Sequence, residues 1–122
     1  MIQIDKQLDK IWSELVKEKS NNKCEVCGNR SALNSHHVIS RANKSVRWDL
    51  HNGVCLCVGH HIGMQSAHKN PLWFIEWIKK ERGEDWYHLL RIKSNQVSKL
   101  HKFEKELLLK ELRKELNMIK VI

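Results

Sequence analysis

Apolar residues recur with helical spacing over the first eighteen positions. Ile4, Leu8, Ile11 and Leu15 share a face, Trp12 widens it, and Asp5, Lys6, Asp9, Lys10, Glu14 and Lys17 fall mainly elsewhere. This period predicts an amphipathic helix over residues 2–18, ended by Ser20-Asn21-Asn22, whose side chains favour turns. The pattern then shortens. Ser31–Ile39 reads as a strand, Ser40–Asp49 as a polar loop and Gly53–Leu56 as a returning strand. Residues from about Val58 to Ala67 read as a short helix against the contrary signal of Gly59 and Gly63. Asn70-Pro71 supplies an N-cap and a first-turn proline for a helix over Leu72–Arg82, which Gly83 stops. Its Trp73, Phe74 and Trp77 read as core rather than as a stacking platform. Glu84-Asp85 restarts a helix to about Lys93 that contributes Trp86, Leu89, Leu90 and Ile92.

From Asn95 to Lys120 the chain reads as one long charged helix. Leu109, Leu112, Leu116 and Ile119 alternate three and four residues apart, as a coiled-coil seam would. Val97, Leu100, Phe103 and Leu107 form a second stripe, two residues out of register with the first. That offset argues against a continuous coiled coil and for packing on the N-terminal helix or a short dimer contact. The expected organisation is an N-terminal helix (1–22), a core (23–82) and C-terminal helices (83–122).

With 122 residues, the chain is one small domain with helical appendages, of a size at which a bound metal often supplements the core. A formal charge of +8 favours polyanionic partners. Its distribution sharpens this: between Lys19 and Lys69 seven Lys/Arg face only Glu25 and Asp49. Acids and bases throughout residues 1–18 speak against a secretory leader, and no apolar run approaches the ~20 residues of a membrane span. A cytoplasmic location is therefore expected, in the host cell if the chain is phage-encoded. In that compartment four cysteines set among histidines point to a metal site rather than to disulfides.

Cys24-Glu-Val-Cys27-Gly28 is a knuckle whose two-residue gap lets both thiolates face one ion. A redox pair is the alternative, but it wants a βαβ context that is not visible. Cys57-x-x-His60 completes a Cys3His set, a structural zinc site. Cys55 competes for this place, and only one of Cys55 and Cys57 is expected to join Cys24 and Cys27.

Six of the eight histidines lie between residues 36 and 68. On a strand His36 and His37 point to opposite faces, so one can bind metal while the other meets substrate. His60 and His61, consecutive at a helix start, diverge by about a quarter to a third of a turn, and His61 and His68 share a face if the helix persists. The expected second site gathers His36, His61 and, if the helix persists, His68 around a catalytic Mg2+ or another divalent ion with open positions. His37 is the candidate base, because imidazole titrates near neutrality. Asn52 can hold His37 or the loop through its amide. Arg41, Lys44 and Arg47 are candidate DNA-binding residues beside the phosphate.

The order His36-His37, Asn52, His61 inside a Cys-x-x-Cys/Cys-x-x-His frame resembles the HNH (ββα-metal) nucleases. Among them it is similar to small phage-type members, which include junction-resolving recombination endonucleases. The resemblance covers roughly residues 24–80 and leaves the terminal helices unassigned. It implies an α+β, mostly helical chain with a zinc-stabilised ββα-metal core flanked by N- and C-terminal helices. It also implies a metal ligand at His36, a general base at His37, the middle Asn at Asn52 and a closing ligand at His61. Cys24, Cys27, Cys57 and His60 would form the zinc frame. His60 stands where many members keep a fourth cysteine, so His60 and His61 can exchange roles. The implied activity is hydrolysis of DNA phosphodiester bonds, by nicking or structure-selective cleavage of duplex or branched DNA. A homodimer through the terminal helices would pair two sites. The competing reading is a zinc-stabilised DNA-binding module without nuclease activity; an interaction protein built on the terminal helices is a third. Both leave the histidine set without a task.

Overall fold

In the computed structural model, which describes residues 2–96 and 100–121, the first helix α1 spans Ile2–Lys19. It ends where the chain turns through Asn21 and Asn22, both at positive φ. Leu8, Ile11, Trp12, Leu15 and Val16 bury its apolar face. Val16, not part of the expected stripe, adds to it.

Strand β1 (Leu33–His37) pairs antiparallel with β2 (Gly53–Cys57) in a register that sets His36 opposite Val54 and His37 opposite Gly53. Both strands match their expected positions within two residues at each end. Every residue of β2 is buried, as expected of a strand covered on both faces. Val54 and Leu56 turn to one apolar cluster, with Phe74 and Ile78. Cys55 turns to the other, with α1. The hairpin is thus the middle layer between α1 and the helix α3 (Pro71–Arg82). Gly53 makes the α1 contact close: a Cβ built there would lie 2.3 Å from Val16 Cγ2 and 2.9 Å from Trp12 Cζ2.

The short helix α2 follows β2 directly but spans only Val58–Ile62, five residues short of the expected end at Ala67. After Gly63 the chain loops back, with Ala67 N–H donating to the His60 carbonyl and His68 N–H to that of His61. Asn70 caps α3 by accepting from Trp73 N–H, as the Asn-Pro signal predicts. Helix α4 (Glu84–Ser94) buries Leu90, whereas Leu89 and Ile92 stay exposed.

The last helix, α5, spans Lys102–Val121 and does not continue back to Asn95, which closes α4 by donating to the Arg91 and Ile92 carbonyls. Leu109, Leu112 and Leu116 pack into the α1 cluster, and Lys105–Asp5 (2.8 Å) and Lys19–Glu115 (2.9 Å) flank this contact. The seam is therefore filled within the chain. In the second stripe Leu100 packs partly against the core, Phe103 and Leu107 face outward, and Val97 lies outside the described residues. The architecture is α+β and mostly helical. Among the described residues no helix is long and apolar enough to cross a membrane.

Candidate functional site

The knuckle is a tight turn in which Gly28 N–H donates to the Cys24 carbonyl and Cys24 N–H to that of Asn29. Gly28 has φ +80°, a value that other residues rarely adopt. Glu25 fastens this turn to the hairpin: its carboxylate accepts from Cys55 N–H (2.8 Å) and from Arg82 (2.9 Å). The thiols of Cys24, Cys27 and Cys57 and a ring nitrogen of His60 then fall within 4.8 Å of one another. Sγ of Cys27 and Cys57 are 3.8 Å apart, and His60 Nδ1 is 3.8 Å from Cys24 Sγ and 3.4 Å from Cys57 Sγ. Zn–S bonds of about 2.3 Å and a Zn–N bond of about 2.0 Å in a tetrahedron imply edges of about 3.8 Å (S–S) and about 3.5 Å (S–N). The four residues fit a metal such as zinc. Burial raises the Cys24 pKa, but N–H groups of Cys57, Cys27 and Val26 aimed at its sulfur outweigh this and hold it below the ordinary thiol value, favouring the thiolate that binds metal.

Cys55 stays outside the cluster, as expected of one of the pair. Strand alternation alone would leave Cys55 and Cys57 on the same face. What separates them is the strand's end: Cys57 is the N-cap of α2 and turns toward the knuckle, while Cys55 remains in the α1 core.

A second cluster lies on the other side of the His60–His61 peptide. Ring nitrogens of His36, His61 and His68 also come within 4.8 Å of one another, with His61 Nε2 and His68 Nε2 at 3.0 Å. Two nitrogens each about 2.0–2.1 Å from one ion would be about 3 Å apart when the angle between them is near a right angle, so these side chains also fit a metal. His68 arrives by the loop after Gly63 rather than by continued helix. The His36 pKa is pushed down to about 3, first by burial and then by charge on His61, His68 and His37. That of His61 is lowered by burial and by His68.

His37 points the other way, as strand alternation predicts. Its ring stacks on Trp12 at 3.8 Å between centroids, 8° from parallel. Nε2 lies 2.9 Å from the Arg47 carbonyl, which can only accept, so this nitrogen carries the proton and Nδ1 keeps a lone pair. Burial lowers the His37 pKa more than the Arg47 carbonyl raises it, which favours the neutral ring that a base requires. The three-histidine cluster and His37 both line one open cleft of about 560 Å³, together with Arg41 and Asp9 among others.

Asn52 is fully buried and ends a short turn, Leu50–Asn52, ahead of β2. Its Oδ1 accepts from Ile39 N–H (2.7 Å), and its Nδ2 donates to the carbonyls of Ile39 (2.9 Å) and Val46 (3.1 Å). Asn52 therefore holds the loop rather than His37 itself.

The three basic loop residues divide. Arg41 is exposed and lines the cleft, 3.4 Å from Asp9, and Lys44 is exposed on the loop. Arg47 instead forks onto Asp9 through Nε (3.0 Å) and Nη2 (2.7 Å) and is largely buried. This carboxylate contact engages Nε and Nη2, so Arg47 anchors the loop on α1 as well as carrying the charge from which a phosphate contact was expected. Trp48 donates to Asp9 Oδ1 at 2.8 Å and plugs the loop onto the core.

Asp9 and Trp12 were read as the polar and apolar sides of a packing helix. An acid on the solvent side of an amphipathic pattern carries no local sign of a long-range partner.

No protein-family model, curated protein or solved structure matches the chain.

Proposed function

We propose that the chain is a metal-dependent endonuclease of the HNH (ββα-metal) kind, hydrolysing DNA phosphodiester bonds. One observation carries this reading. In a single cleft a three-histidine cluster suited to a divalent ion adjoins a neutral histidine with a bound Nε2 and an open Nδ1. The β1–β2–α2 succession, with a Cys3His cluster at its base, supports the same reading.

A divalent ion held by His36, His61 and His68, whose imidazole donors suit a transition metal better than the expected Mg2+, would offset the charge that develops on the phosphate and the leaving oxygen. His37 Nδ1 accepts a proton from the attacking water as its oxygen bonds to phosphorus. The bond from phosphorus to O3′ breaks, and O3′ departs with a proton from solvent, leaving a 5′-phosphate and a 3′-hydroxyl. Arg41 and Lys44 bring backbone phosphates to the cleft, while Asn52 and Arg47 hold the loop around it. Among the described residues the fold adds no helix-turn-helix or zinc-finger array to the hairpin core, which favours nicking or structure-selective cleavage over long sequence specificity. Opposed cleavage of both strands of a junction would need a dimer. The α1–α5 seam is filled internally, so such a dimer would use outer faces, where Phe103, Leu107 and Met118 are exposed.

The test is incubation of the protein with Mg2+, Mn2+, Zn2+ or Ni2+ on supercoiled plasmid and on labelled four-way, flap and linear duplex DNA. His37→Ala is expected to lower cleavage at least ~100-fold while zinc content and DNA binding persist. Full activity in that variant removes His37 as the base. Binding without cleavage under every ion favours the zinc-stabilised binding module instead.

A further inference from the structure

We propose that Asp9 and Trp12 of α1 are positioning residues for His37, a role that rests on the nuclease reading above. The two side chains lie three positions apart, neighbours on the helix surface, and both line the histidine cleft. Each removes a different freedom from the imidazole.

Stacking on Trp12 fixes the plane of the ring. It does not fix which edge faces the cleft, because a half-turn about the Cβ–Cγ bond returns the ring to the same plane with each nitrogen exchanged for a ring carbon. The bond from Nε2 to the Arg47 carbonyl makes that choice. The choice holds only while the carbonyl is held, and the loop bearing it has no regular ladder of its own.

The restraint comes from α1. Asp9 receives the Arg47 fork through both carboxylate oxygens and the Trp48 indole through Oδ1. Trp12 Nε1 donates to the Asp49 carbonyl at 2.9 Å. Three consecutive loop residues, 47 to 49, are thus tied to two side chains of one helix. Asn52 fastens the earlier part of the loop through Ile39 and Val46, but it does not touch Arg47 in these bonds. On this reading α1 is part of the active site, supplying the aim of a base carried by another element. A chain with the histidine set intact but without the Asp9 carboxylate would keep the base and lose its orientation.

The experiment compares full-length, zinc-loaded wild type with Asp9→Asn, which keeps the shape of the side chain and removes its charge. Nitrogen-15 NMR of the histidine rings reads the exchange of the His37 Nε2 proton with water, and plasmid cleavage reads kcat and KM separately. Asp9→Asn is expected to speed that exchange about tenfold or more. It should also lower kcat ~10- to 100-fold at unchanged KM, the scale of a misplaced catalytic group, with zinc content unaltered. A protected ring proton together with wild-type kcat overturns the proposal. So does a change in KM alone, which would make Asp9 a determinant of substrate binding. Should Asp9→Asn fail to fold, Arg47→Lys, which keeps the cation but loses the fork, is read by the same two measurements. If wild type cuts no DNA, the nuclease reading falls, while the ring-proton comparison still decides whether Asp9 orients His37.

Discussion

A carboxylate on the polar side of a helix ordinarily titrates against solvent, but Asp9 titrates against Arg47 and Trp48. Burial raises its pKa, and the Arg47 and Trp48 hydrogen bonds with the Arg47 and Arg41 charges more than reverse this, leaving it below the ordinary aspartate value. A group with a depressed folded pKa stabilises the fold above its unfolded value, near 3.9 for aspartate, and that contribution disappears as pH falls through the folded value. Urea midpoints of wild type and Asp9→Asn should therefore differ by a constant amount between about pH 5 and 7 and converge as pH falls below about 3.9. A gap that persists unchanged into strong acid would show that the carboxylate charge contributes nothing. At this scale the sequence was legible wherever adjacency does the sorting. His36 and His37 divide because a strand alternates, and His60 and His61 divide because a helix rotates. Asp9 was not legible, because its partners lie 38 and 39 residues away and no spacing rule connects them. The Arg47 partner was hidden for the same reason: nothing in the spacing of a basic loop residue points to a carboxylate on α1.

Among the described residues the sequence pattern located the five α-helices and both strands, did not foresee the Leu50–Asn52 turn, and was weakest at the ends of elements. α2 carries Gly59 within it and ends after five residues at Gly63, and the His61–His68 pairing survived only because the backbone loops back to the His60 and His61 carbonyls. The right neighbours were thus inferred from the wrong geometry. The C-terminal stripes illustrate how tertiary packing decides between equally good patterns. Leu112 is buried against α1 and Leu107 is half exposed, although both belong to regular apolar spacing. Leu112→Ala is expected to cost about 2–5 kcal/mol, whereas Leu107→Ala should stay within about ±0.5 kcal/mol. Denaturant titration of the two variants measures both. Equal losses would mean that α5 buries both faces in solution, as a dimer through its outer face would require.

For the whole molecule, the charge of +8 is divided between groups free to meet an anion and groups already matched internally. Removing a cation that contacts DNA phosphate lowers the salt dependence of binding by about 0.9 in the log–log slope. Lys44→Ala should do this without loss of stability. Arg47→Ala should leave the slope near wild type and lower stability, since its guanidinium is spent on Asp9. Fluorescence anisotropy against labelled duplex across a salt series separates them, and the reverse ranking would return Arg47 to the binding surface. Net charge and clustering were legible in the sequence, but the partition needed the fold, since it depends on which cations the three layers enclose.

Those layers are spaced by Gly53. With hydrogen in place of a methyl, the strand admits Val16 and Trp12 closer than any other residue would allow. The same Trp12 is the platform under His37, and Gly53 is the residue paired with His37 across the hairpin. The glycine therefore works as a shim: its thinness sets the height of the platform beneath the ring one strand away. Thickening it by a single carbon would jack the first helix off the hairpin, carrying Asp9 and Trp12 away together while leaving every histidine and cysteine of the two clusters in the sequence untouched.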